Sequence, residues 1–60
     1  MEVAVCDLIS FKYKQRRYNG TVISTDMLGS FRVMTFIQGT SVELESCEIT
    51  DVSVLGHCYQ

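Results

Sequence analysis

Apolar residues in this chain recur at every second position in short runs, the spacing of a strand with one buried face. Val3, Val5, Ile9, Phe11 and Tyr13 share one parity while Ala4, Cys6, Ser10 and Lys12 share the other. That pattern predicts a strand from about residue 3 to residue 13, with Leu8 a mild exception. Phe31, Val33 and Thr35 then alternate with Arg32, Met34 and Phe36. In GTSVELE, Val42 and Leu44 face inward and Glu43 and Glu45 face water. A short turn at Ser46 to Glu48 leads into a last strand, ITDVSVL, with Ile49, Val52 and Val54 as its core positions. Gln38-Gly39 predicts a two-residue hairpin loop, and Met27 to Ser30, holding Gly29, predicts the connection before it. Proline is absent, and Val, Ile, Thr, Tyr and Phe are plentiful. The reading is therefore all-β: one domain, residues 1 to 60, of five short strands in a bent sheet or partly open small barrel.

Two turns compete for the first connection. Asn19-Gly20 is a strong hairpin signal, because both residues tolerate positive φ, and it would pair FKYKQRRY with TVIST. That pairing sets Arg16 opposite Ile23 and leaves neither face a clean apolar stripe. Turning instead at Lys14 to Arg16 gives a second strand to Asp26, with Tyr18 and Val22 inward and Arg17, Thr21 and Ile23 outward. Gly20 then marks a bend inside that strand, and this second reading is the preferred one.

Length and charge bound what such a domain can do. A chain of 60 residues buries only about 60% of the surface its unfolded form exposes, so its own core is thin and help from a partner is expected. Cys6, Cys47 and Cys58 are odd in number and widely spaced, with neither a CxxC nor a His pairing suited to zinc. They read as reduced thiols, which points to the cytoplasm or nucleus. MEVAVCD has no basic leader and no long apolar run, so neither a signal peptide nor a membrane span is expected. The net charge of −2 is unevenly spread: the first 32 residues hold all five cations and carry +2, and the remainder carries −4 from Glu43, Glu45, Glu48 and Asp51. An electrically two-sided domain suits head-to-tail or heterologous protein contacts at least as well as a polyanion.

Candidate chemistry is sparse. FKYKQRRY interleaves aromatics with Lys12, Lys14, Arg16 and Arg17, a mixture that binds single-stranded nucleic acid by stacking and phosphate contact. The competing reading puts Phe11 and Tyr13 in the core beside a solvated cationic turn, and the acidic total charge favours it. Asp26 is expected to bond backbone amides of the following turn. His57 has Cys58 beside it in sequence, a poor placement for a nucleophile and base on a strand, so no enzyme activity is expected. The carboxylates of the second half are spread along strands and do not form a calcium loop, and no cofactor is implied.

Gly20 followed six residues later by Asp26, with Tyr18 and Val22 before and Phe31 and Val33 after, resembles the first motif of the Sm and Sm-like proteins. Leu44, Ile49 and Val52 resemble the apolar spacing of the second motif. The resemblance implies a bent five-stranded barrel that pairs with neighbouring subunits through strand edges. There is almost no room for the family's N-terminal helix, and the first turn lacks its usual Gly. At the RNA-contact positions, where the family has Asn and an Arg-Gly pair, Ser30 and Glu45-Ser46 stand instead. Glu45 carries the wrong sign beside phosphate. The remaining pattern is similar to the degenerate Sm-fold Gemin subunits of the survival-motor-neuron complex, where the fold is a protein-binding scaffold in ribonucleoprotein assembly. What this implies here is contact with another Sm-like subunit, in a hetero-oligomer, through Val42, Glu43, Leu44, Glu45, Ile49, Val52 and Val54. RNA contact would be weak or indirect and would fall to Lys12, Lys14, Arg16 and Arg17. An RNA-binding Sm-like ring protein, and an SH3-like or viral protein-interaction module, are the alternatives.

Overall fold

Two tight turns set the register of the molecule. In the computed structural model, which describes residues 3 to 57, Tyr13 pairs with Arg16 and Ile37 with Thr40. The two-residue loops between them, Lys14-Gln15 and Gln38-Gly39, have positive φ throughout, the backbone hand that matches the twist of antiparallel strands. Around them run β1 (Leu8–Tyr13), β2 (Arg16–Thr25), β3 (Phe31–Ile37), β4 (Thr40–Glu45) and β5 (Thr50–Gly56), with one 3-10 turn at Ser46–Glu48. All pairings are antiparallel in the order β4-β3-β2-β1-β5, so the bent sheet does not close and β4 and β5 form its margins.

Asn19-Gly20 lies inside β2, in the middle of a long strand, as face matching favours. Gly20 is buried between Ile9 on β1 and Thr35 on β3. A Cβ there would lie 2.7 Å from the Met34 carbonyl oxygen and 2.7 Å from Cγ2 of Val33, with Phe11 at 3.2 Å. The absent side chain is what lets three strands approach at the bend. Thr35, buried opposite, donates its hydroxyl to the Asn19 carbonyl at 2.6 Å. A bulge near Ile23 turns the rest of β2 onto the start of β3.

The first strand is shorter than the alternation predicts, beginning at Leu8 and not near residue 3. Asp7 donates its N–H to the Ala4 carbonyl, and Asp7 Oδ2 accepts the Ala4 N–H at 2.8 Å, closing a turn with Cys6 at φ 81. A local side-chain bond has won over strand extension, as short acidic side chains often do. Leu8 consequently points outward and is exposed.

Ile9, Phe11, Val22, Phe31, Val33, Leu44 and Ile49 form the core, with Val3, Tyr13, Tyr18, Val42 and Val52 half-buried around it. Each fully buried side chain contributes about 1.5–3 kcal/mol of transfer free energy, and in a domain this small the surplus after ordering the chain is about 3–5 kcal/mol. Val54 departs from its expected core role: it lies opposite Ile9 but at the sheet margin, 36% exposed, because β4 does not close over it.

Candidate functional site

The margins divide the residues that sequence assigns to a partner. Val42, Glu43, Leu44 and Glu45 lie on β4, Val52 and Val54 lie on β5, and Ile49 sits at the corner between them. Leu44 and Ile49 are buried, so their side chains belong to the core, whereas Val42 and Val52 are half-buried and Val54 is exposed. On the outer face Arg32 reaches across from β3 to Glu45, donating from Nε at 2.9 Å, and lies 3.7 Å from Glu43. Pairs this exposed are screened by solvent and add little to stability. They do neutralise part of the acidic margin.

The margin formed by β5 is irregular. Asp51 has φ 55, and the pairing of β5 with β1 shifts twice along its length. Arg17 spans the irregularity from β2, donating to Ser10 on β1 and to the Asp51 carboxylate at 2.7 Å and carbonyl at 3.2 Å. Arg17, expected as an RNA contact, is thus held as a clamp across three strands.

The loop pairs at the two ends of β3 differ in kind. At its start, Asp26 Oδ1 accepts the N–H groups of Leu28 and Ser30 at 2.8 and 3.0 Å, the structural role expected of it. The Phe31 N–H donates to the Ser46 hydroxyl, so the loop before β3 and the turn after β4 are neighbours. Ser30 and Ser46 therefore come near one another, with Glu45 engaged by Arg32 and Glu48 accepting the Glu45 N–H. This end presents carboxylates and the Ser46 hydroxyl, whose bonds are made internally.

At the other end of β3 the two tight hairpins flank an open cleft of about 540 Å³. Tyr13, Tyr18, Ile37 and Val42 form its walls, with Lys14, Arg16 and Gln38 around them. The two tyrosine rings lie 6.3 Å apart at 58°, and Lys14 Nζ stands 5.3 Å from the Tyr13 ring centre. Among the described residues, neither Lys14 nor Arg16 is paired with a carboxylate.

One contact has no trace in the sequence pattern. Asp7, buried to 1% exposure, accepts a hydrogen bond from Nδ1 of His57 at 2.5 Å. The His57 bond, then the Ala4 amide, hold the Asp7 carboxyl below the ordinary aspartate range, against the opposing effect of burial. The two residues are 50 positions apart, and only the tertiary fold brings them together. Cys6 and Cys47 are exposed free thiols, while Cys58 lies outside the described residues. No group of three metal-ligating side chains gathers among the described residues, and no helix there is long and apolar enough to cross a membrane. Comparison with known protein families, curated proteins and solved structures finds no match to this chain.

Proposed function

We propose that this protein is a non-enzymatic, Sm-like scaffold subunit that works by adding strands at its margins, with another Sm-like subunit as partner. The observation that carries the reading is the open strand order β4-β3-β2-β1-β5, which, among the described residues, leaves backbone donors and acceptors of two strands without a neighbour. A partner strand on β4 would satisfy that strand's groups and cover the half-buried Val42, and one on β5 would do the same for Val52 and Val54. Because such a partner binds only the folded chain, it would also raise the stability of a thin core. The unequal charge of the two halves favours a facing surface, or a bound tail, rich in Lys or Arg beside Glu43 and Glu45. The setting in ribonucleoprotein assembly, in cytoplasm or nucleus, rests on the resemblance to the Gemin subunits.

Light scattering on the purified chain, alone and with candidate Sm-like subunits, tests this. The expected result is a complex in which amide exchange slows along β4 or β5. A well-folded monomer at high concentration, with no strand-edge contact to any such subunit, rules the scaffold out.

A further inference from the structure

We propose that the cleft between the two tight hairpins, which shares Val42 with the β4 margin, is a seat for one unpaired nucleotide of a single-stranded nucleic acid. Its base is held against Tyr13 and Tyr18 and its phosphates by Lys14 and Arg16.

Size is the first argument. A volume of about 540 Å³ falls in the range of about 300–1,000 Å³ typical of small-ligand sites, enough for a nucleotide and too little for a duplex. The walls are the second. Tyr13 and Tyr18 are each half-buried, so their rings are fixed by the core on one side and available on the other. At 58° they form a corner, in which one ring can stack on a planar base while the other meets its edge. Phe11 backs Tyr18 at 6.2 Å and holds it in place. Ile37 and Val42 add apolar surface, and the Gln38 amide offers both a donor and an acceptor for a base edge.

Charge selects the ligand. Lys14 and Arg16 would repel a methylated lysine or arginine, the usual occupant of an aromatic corner. They suit a planar group that carries an anion, which is what a nucleotide is. Lys14 rests over Tyr13 in a contact worth about 0.5–1 kcal/mol at an exposed site, so a phosphate can draw its ammonium away at little cost. The turns supply a further sign. Lys14, Gln15 and Gln38 all sit in the left-handed region, where Asn or Gly would be easier. Two of those three line the cleft.

The test is fluorescence anisotropy of the full chain with a labelled uridine hexamer and with an abasic hexamer of equal length, together with amide and side-chain NMR shifts. The expected result is weak, salt-sensitive binding of the hexamer, with shifts at Tyr13, Tyr18, Gln38 and Val42. The abasic strand should bind at least about fivefold more weakly, the low end of one base stacking on an aromatic. Lys14→Glu with Arg16→Glu, both exposed and outside the core, should cost about tenfold or more at low salt and leave the thermal midpoint little changed. Tyr18→Ser could disturb packing, so Tyr13 and Tyr18 are judged by the wild-type shifts. Equal binding of the abasic strand would reduce the contact to charge alone and overturn the proposal. So would shifts confined to Ser30 and Ser46, or a Glu-rich peptide that binds the same residues as tightly as the hexamer.

Discussion

The two ends of β3 meet the same kinds of element, a loop or turn from each neighbouring pair of strands, and use them oppositely. At the start, Asp26, Ser46, Arg32 and the glutamates spend their hydrogen-bonding capacity on the protein itself. At the far end, Lys14 and Arg16 stand beside two half-exposed rings in backbone turns that cost energy to hold. The contrast teaches that resemblance and local chemistry can point to different places. The resemblance directs attention to Ser30 and Glu45-Ser46, where Arg32 is already paired with Glu45. The physical signs of ligand binding gather seven residues further along β3.

What joins the two ends is the bend at Gly20, and altering it should have the largest effect. Gly20→Val forces a side chain against the Met34 carbonyl, a backbone atom that cannot step aside. Overpacking of that kind costs about 1–3 kcal/mol or more, against a total of about 3–5 kcal/mol. Circular dichroism melts should show a clearly lowered midpoint for Gly20→Ala, whose Cβ alone meets the Met34 carbonyl, and a larger loss for Gly20→Val. A Gly20→Val variant as stable as the parent would mean that the two ends are not held by this bend.

Asp26→Ala addresses the start of β3 alone. It removes the acceptor of the Leu28 and Ser30 amides, which should cost about 1–2 kcal/mol and speed exchange at those two amides. Hexamer binding should be unchanged. If binding falls with Asp26→Ala and not with Lys14→Glu, the comparison between the ends is inverted.

Acid should act on the Asp7–His57 contact. Asp7 has its carboxyl lowered in the folded state, so the stability it contributes is complete above the ordinary aspartate value of about 4 and is lost as pH falls through the lower folded value. Denaturant midpoints between pH 7 and pH 2.5, compared for the parent and Asp7→Asn, should converge at the acid end. Parallel curves across the whole range would show that this pair carries no pH dependence.

Much of this arrangement is legible in the sequence, and the parts that are not have physical reasons. The outward Glu43 and Glu45, the inward Val33 and Leu44, and Gly20 as a bend all follow from period-two alternation, a signal spread over many residues. The start of β1 does not, because a single Asp7 carboxylate bonding Ala4 overrides the alternation of Val3 and Val5. Val54 looks like a core residue by parity, yet burial depends on whether the sheet closes, which no local pattern records. The cleft needs Tyr13 and Tyr18 from one hairpin and Ile37, Gln38 and Val42 from another. FKYKQRRY shows the chemistry of the first half but not the surface that completes it.

The smallest expected effect is the most discriminating. Lys14-Gln15 occupies a two-residue turn with φ 51 and 67, for which Asn-Gly is the favoured pair. Replacing Lys14→Asn and Gln15→Gly together should relieve left-handed strain and raise stability by about 0.5–1 kcal/mol, a shift of a few degrees in the melting midpoint. The same change removes the ammonium over Tyr13, so the more stable protein should bind the uridine hexamer several-fold more weakly. Opposite signs in one variant separate a turn kept for its side chains from a turn that merely tolerates them. A double variant that is both more stable and equally good at binding would leave Lys14 without a role, and the basic end of β3 would then differ from the acidic end in charge only.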